Sequence, residues 1–425
     1  MPIVNVPEKN QKRIVIVGAG FAGLTLAQKL AKHNFQVVLF DKNNYHTFQP
    51  LMYQVAMSGL EPSSIVFPLR KGFQKNKNIH IRVAKVLEVV QLENKIITDI
   101  GHCFYDILIL AHGATTNFFG NKSLEENSLV LKSVGEAMHM RNEILKDYEK
   151  AIITRDHNDR QPYLDTIIVG GGPTGVELAG SLAEMKLDII PKDYHEIDSK
   201  EIDIYLIERG DRILGTMSEK SSAAAKRFLE ELGVTVYVNT SLVSHENGIA
   251  KLSNGEEIQC KKLIWAAGIT GNKIEGLAEE SFTRGNRLIV DHTNKVIGTD
   301  NIYALGDIAA MITDKTPNGH PQVAQVALQQ ARHLAINLIN ETAKPFQYRD
   351  LGSMATIGRN KAVVDLGKYH FNGFFAWIVW LFVHLAAILG VKNKVFVLIN
   401  WLWSYVTYDQ SLRLILKAEH KSSFE

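Results

Sequence analysis

A chain of 425 residues with 46% hydrophobic content exceeds what one core usually serves and has the apolar mass for two or three domains. Lys and Arg total 47 against 45 Asp and Glu, and a net charge of +2 excludes a long-range field that would gather nucleic acid. Two cysteines, Cys103 and Cys260, are too few for a disulfide scaffold and too far apart for a CxxC motif, so buried thiols in a reducing compartment are expected. The first residues lack the apolar core of a secretory signal and the Arg-rich character of a transit peptide, which predicts a cytoplasmic N-terminus.

In chain order, residues 13–17 read as a strand, followed by a Gly-rich turn, a helical pattern over 24–32 and a second strand over 37–40. The turn places Gly18, Gly20 and Gly23 at G-x-G-x-x-G spacing, with Ala19, Phe21 and Ala22 between them. Such glycines permit a tight turn, room for a pyrophosphate near backbone N–H groups, and close packing of helix on strand. Asp41, eighteen residues past Gly23, ends the second strand where a carboxylate accepts from a ribose, and Lys42 follows it. One such motif is a weak signal, but here it recurs. Strand 166–169 leads to Gly170, Gly172 and Gly175, then to a helical stretch over 176–185, a strand over 202–207, and Glu208. Two βαβ units of this kind predict an α/β chain with two Rossmann-like dinucleotide-binding domains.

Further strands end in small residues: 107–110 before Gly113, 263–265 before Gly268, and 302–305 before Gly306 and Asp307. The polar stretch 154–160 reads as an exposed loop. On a helix expected to open at Pro321, the residues Gln322, Gln325 and Gln329 share one face, while Ala324, Ala327 and Ala331 permit close approach. After about Phe346 the character changes, with strands over 354–357 and 362–366 and then a very apolar tail. Residues 373–391 form an apolar run interrupted only by His384, long enough at about eighteen residues to span a bilayer. The next run, 395–406, is too short to return, and Asn393, Asn400, Ser404, Thr407 and Ser411 fall on one helical stripe. Trp377, Trp380, Trp401 and Trp403, with Lys392 and Lys394, are the residue types expected at a headgroup boundary. The 15 histidines show no ligand spacing, so no metal is expected.

Taken together these motifs resemble the two-dinucleotide-binding flavoproteins and, within them, the type II NADH dehydrogenases, single-chain NADH:quinone oxidoreductases that pump no protons. The resemblance covers nearly the whole chain. It implies that FAD lies on Gly18, Ala19, Gly20, Phe21, Ala22, Gly23, Asp41 and Lys42. His46, in the segment 44–51, would lie beside the flavin, Val86 at the adenine end, Asp307 of the late Gly-Asp pair on the FAD ribityl chain, and Gly113 where a strand-end turn lets backbone approach the cofactor. NADH would lie on Gly170, Gly172, Gly175, Glu208 and Gly268. The FAD domain would then comprise 1–115 and 285–345, with the NADH domain inserted as 116–284 and a membrane-attachment region over 346–425.

The stretch 324–330 resembles the family's quinone-site motif, which assigns Ala324, Gln325 and Gln329 to flavin and quinone. Glu177 would stand on the route between nicotinamide, flavin and quinone protons; acidic residues early in a helix also satisfy its dipole. The implied cycle passes hydride from NADH to FAD and two electrons to a membrane quinone. Two tail helices lying in one leaflet imply a peripheral protein on the cytoplasmic side of the cell membrane, and a homodimer stays open. Disulfide reductases and sulfide:quinone oxidoreductases need cysteines near the flavin, and none lies between 1 and 102. A soluble ferredoxin- or rubredoxin-type reductase, or a flavin-based redox sensor, remains as an alternative that would not need the Gln-bearing helix or the apolar tail.

Overall fold

Short β-branched runs, buried on both faces, form parallel strands at the centre of each half of the chain. The computed structural model describes residues 2–8, 10–409 and 412–416. The chain divides into two units, both discontinuous: one runs to Thr47 and adds Val66–Thr115 and Ile269–Leu351, and the other takes Phe48–Ile65, Thr116–Gly268 and the chain from Gly352 on.

In the first unit a five-stranded parallel sheet runs in the order Ile302–Ala304, Ile107–Leu110, Lys12–Val17, Phe35–Asp41, Ile79–Val83. The helix Phe21–Leu30 crosses between the central strands and buries Leu24, Leu26, Ala27 and Leu30. It packs against the helix Ala324–Ile339. An antiparallel meander, Val86–Val90, Lys95–Thr98 and Gly101–Phe104, contributes Val86, Val89, Ile96 and Cys103 to one core cluster.

The second unit repeats the plan with a four-stranded parallel sheet, Val234–Tyr237, Ile204–Ile207, Thr166–Val169, Lys262–Trp265. Its crossover helix Pro173–Glu184 lies so close to an added antiparallel sheet, Ser353–Gly358, Lys361–Leu366 and Tyr369–Asn372, that a Cβ on Gly180 would sit 1.7 Å from the Ile357 carbonyl oxygen. Cys103 and Cys260 are both free and buried.

Several sequence expectations shift. Both crossover helices begin three residues earlier than their apolar pattern, at Phe21 and Pro173, because the third glycine of each turn lies inside the first helical turn. The polar stretch 154–160 is a loop only to Asp156, whose carboxylate accepts from the Asn158 and Asp159 N–H groups and opens the helix His157–Leu164. Pro321 stands outside its helix: Val323 is extended, so the helix begins at Ala324 and Gln322 precedes it.

The apolar run 373–391 is broken in two. Helix Phe374–Ala387 ends, Gly390 turns the chain at φ 84°, and helix Val391–Thr407 follows. Among the described residues no helix is long and apolar enough to cross a membrane. The expected polar stripe of the last helix faces inward: Asn393, Asn400, Ser404 and Thr407 are half-buried, whereas Val391 and Val406 are 79% and 75% exposed. Ser411 lies outside the described residues. The four tryptophans are not all at the rim, since Trp380 is buried and only Trp403 is well exposed.

Candidate functional site

The first glycine turn is shaped by steric need. Gly18 has φ 98° and its N–H donates to the Phe40 carbonyl at 2.7 Å. A Cβ there would meet the Ala111 carbonyl oxygen at 2.4 Å, and one on Gly23 would meet the Gly18 carbonyl oxygen at 1.8 Å. Gly20 differs, for a Cβ there meets nothing within 4 Å. Gly20 is also the helix N-cap without a side-chain cap, so the N–H groups of the first turn, including Phe21 and Ala22, face that space.

Asp41 closes the turn from the neighbouring strand. One carboxylate oxygen accepts from the Ala19 N–H at 2.7 Å, the other from Asn43 N–H at 2.7 Å. Burial raises its pKa, and those two N–H groups with nearby Lys42 pull it back. His46 accompanies it: Nδ1 lies 2.9 Å from the Ala19 carbonyl oxygen, and its ring packs edge-on to Phe21 at 5.2 Å. A carbonyl partner requires the proton on Nδ1, and burial lowers the pKa of this imidazole, keeping it neutral. Val86 is buried at the start of its strand. Gly113 has φ 73° with open space at its Cβ position.

The Gly306–Asp307 turn is held from the Gln-bearing helix. Gly306, at φ 71°, lies where a Cβ would be 3.2 Å from that of Ala327 and 3.7 Å from that of Ala22. Its N–H donates to Gln330 Oε1 at 2.8 Å, while Gln322 Nε2 donates to the Asp307 carbonyl at 3.0 Å. At the start of the same helix, Ala324 leads into Gln325, whose Oε1 accepts from the Leu351 N–H at 3.0 Å. Both amide atoms of Gln329 engage the Arg349 backbone, at 2.8 and 3.0 Å. The sequence reading left out Gln330, although it lies in the glutamine-rich stretch. It also passed over His112, whose Nε2 bonds the Asn272 carbonyl oxygen at 2.7 Å and which burial pushes down to about 4.

The second unit has the same turn. Gly170, at φ 112°, donates to the Ile207 carbonyl at 2.8 Å. A Cβ on it would strike Ala266, one on Gly175 would lie 1.9 Å from the Gly170 carbonyl oxygen, and one on Gly172 meets nothing within 4 Å. Glu208 repeats the closing acid, its two oxygens accepting from Gly171 N–H at 2.7 Å and Gly210 N–H at 2.6 Å. Gly268, at φ 77°, packs on Phe119.

Glu177 lies one turn further along the helix Pro173–Glu184 than an N-terminal acid would, so the helix dipole is a weaker account of it than expected. Burial pushes its carboxyl up to about 8, opposed by the Thr356 N–H and the nearby Trp380 indole. Seven residues on, Glu184 is raised to about 7 by burial, against the backbone N–H and charge of Arg359.

Two glycine cradles, each open at its middle glycine and closed by a strand-end acid, define a protein built to hold two dinucleotides. The pyridine nucleotide-disulphide oxidoreductase family model matches residues 12–331, and an NDH2 C-terminal domain model matches 351–407. The chain belongs to the type II NADH dehydrogenases of that family. It is 33% identical over 427 residues to the type II NADH:quinone oxidoreductase Ndh of Mycobacterium tuberculosis, covering 96% of this chain and 90% of that protein. The type II NADH:quinone oxidoreductase of Staphylococcus epidermidis is 27% identical over 368 residues, covering 84% and 90%. Among solved structures, the Plasmodium falciparum NDH2 in complex with NADH superposes with a TM-score of 0.87 at 21% identity, covering 96% of this chain and all of that one.

Proposed function

We propose that the protein is an FAD-dependent NADH:quinone oxidoreductase that passes reducing equivalents from NADH to a membrane quinone without pumping protons. The observation that carries this reading is a match to type II NADH:quinone oxidoreductases along nearly the whole chain, C-terminal domain included. FAD, when bound, supplies the two-electron acceptor between the two substrates.

The residues present fit two dinucleotides. Gly20 and Gly172 leave space where each pyrophosphate belongs, and the uncapped helix N-termini behind them favour its negative charge. We assign FAD to 1–115 and 285–345, NADH to 116–284, and membrane attachment to 346–425. Asp41 and Glu208 each keep lone pairs for ribose hydroxyls beyond those used on the glycine turns. Gly306 is held by Gln330, which orients the Asp307 turn toward FAD. Gln325 is assigned to quinone, Gln329 to positioning the 349–351 segment, and Glu177 to holding a proton.

The tail supports attachment to one leaflet. Its two helices turn Phe375, Phe382, Val391 and Val406 outward, while Lys394 Nζ donates to the Ala386 carbonyl at 2.7 Å and ties the hairpin. An outward apolar face fits a bilayer surface, which we assign to the cytoplasmic side; a second copy of the chain is the competing occupant. The deciding experiment is NADH oxidation by the purified flavin-loaded protein in lipid with a soluble quinone. Quinone-dependent turnover is expected; turnover with a ferredoxin-type protein and none with quinone would overturn the reading.

A further inference from the structure

We propose that a cavity beneath the two tail helices is a water-filled proton compartment, in which Glu184 takes a proton from solvent and passes it inward to Glu177 for quinone reduction. This rests on the quinone reading above. The stoichiometry creates the need. NADH delivers a hydride, and a quinone becomes a quinol by gaining two electrons and two protons. The balanced reaction, NADH + H⁺ + quinone → NAD⁺ + quinol, therefore takes one proton from solvent per turnover.

The cavity has a volume of about 100 Å³, and its walls include Tyr53, Ser181, Glu184, Thr356, Arg359 and Trp380. A water needs only about 10 to 15 Å³ on that measure, so several fit. Glu177 and Glu184 stand two turns apart on one helix, about 10 Å, which is too far for direct transfer. About three waters at hydrogen-bond spacing bridge that distance.

The walls have the polarity such waters require. Trp380 is 1% exposed, and its indole N–H is directed to the Glu177 carboxyl, which ties that carboxyl to a wall of the cavity. Tyr53, fully buried, feels both carboxylates, and their charges add to burial in raising its pKa. Gln54 Nε2 donates to Tyr53 Oη, and Trp401 Nε1 donates to Gln54 Oε1, both at 2.8 Å. That chain fixes the phenol and leaves its proton to point elsewhere.

An ordinary ion pair does not account for Glu184. The cation of Arg359 stacks 3.6 Å from the Tyr408 ring and donates to the Ser404 carbonyl at 2.7 Å, while its backbone N–H serves the Glu184 carboxylate. Of the other charges near Glu184, Asp188 raises its pKa further, and Lys361 on the same hairpin is paired with Glu231. Thus burial dominates, and both carboxyls titrate near neutrality, at about 7 and about 8. His384, stacked on Trp380 at 4.0 Å, is pushed down to about 4 and is neutral there. The two glutamates are therefore the proton carriers of this compartment.

The test compares Glu184→Gln and Glu184→Asp with the native holoenzyme in lipid, using a soluble quinone and, separately, ferricyanide, which takes electrons without protons. Glu184→Gln should lower quinone turnover about tenfold or more and erase a pH inflection near 7, while sparing ferricyanide reduction; Glu184→Asp should restore part of both. Unchanged quinone turnover and pH profile in Glu184→Gln would overturn the compartment and leave the quinone reading standing. Absence of quinone turnover in the native enzyme would overturn both. Should Glu184→Gln not fold, infrared absorption of the native protein decides: protonated carboxyl signal at about pH 6 that disappears by about pH 9 is expected, and none at about pH 6 overturns the proposal.

Discussion

At the scale of single residues, the two kinds of glycine in each turn separate folding from binding. Gly23→Ala places a methyl 1.8 Å from a carbonyl oxygen, and the helix has to move off its strand. That should cost about 1 to 3 kcal/mol, as overpacking does, and lower the melting temperature of the flavin-free protein. Gly20→Ala meets open space, so the flavin-free protein should melt normally but purify without flavin absorbance. Equal loss of stability in both would refute the assignment of Gly20 to the cofactor. Glu208 sets a second expectation. A carboxylate about 4 Å from a 2′-phosphate is repelled by about 1 to 4 kcal/mol, so NADH should exceed NADPH in kcat/KM by roughly one to three decades. Glu208→Gln should narrow that ratio; equal values in the native protein would remove Glu208 from this role.

At the scale of elements, the helix Ala324–Ile339 carries three glutamines with distinct tasks. Gln330 faces the core and holds Gly306, Gln329 holds Arg349, and Gln325 reaches Leu351 from the uncapped first turn. Gln325→Ala should impair quinone-dependent turnover while leaving anaerobic flavin reduction by NADH near its native rate. Gln329→Ala gives up two hydrogen bonds and should cost about 1 to 3 kcal/mol of stability, read by denaturant unfolding. A Gln325→Ala protein slow in flavin reduction but normal with quinone would place the helix on the nucleotide side. The same helix shows how much was legible. Its glutamines and alanines were visible as a pattern, but its start was not, because Val323 adopts an extended cap that propensity alone does not reveal.

At the scale of the whole molecule, titration and the outer surface give two more outcomes. Glu177 and Glu184 have raised pKa values in the folded state, so the native protein binds more protons than the unfolded chain between about 4.5 and about 8. Their contribution to stability is complete below the unfolded value and is lost as pH rises through the folded one. The melting temperature should fall from about pH 5 to about pH 8, and Glu177→Gln should flatten that slope; a variant with the native slope contradicts the burial argument. The tail predicts the second outcome. Phe375 and Phe382 are 77% and 72% exposed, so Phe375→Glu with Phe382→Glu should abolish sedimentation with lipid vesicles while leaving NADH reduction of ferricyanide intact. If the double variant stayed on vesicles but changed from dimer to monomer, the face would belong to a second copy of the chain.

The sequence by itself determined what is local. The spacing of Gly18, Gly20 and Gly23, repeated at Gly170, Gly172 and Gly175, encodes two strand–turn–helix units because backbone sterics at the outer glycines, Gly18, Gly23, Gly170 and Gly175, admit nothing larger. Continuous apolar runs likewise located the central strands to within a residue or two. Only the tertiary structure decided what depends on distant neighbours. The break at Gly390 divided an apolar run of apparent bilayer length into two shorter helices, and packing turned the polar stripe of Asn393, Asn400, Ser404 and Thr407 inward. The raised carboxyls of Glu177 and Glu184 were equally invisible, for an acid in a helix reads as a solvated one. Their protonation follows from burial under Tyr53, Thr356 and Trp380, residues brought from three other segments, and desolvation is set by all of them together.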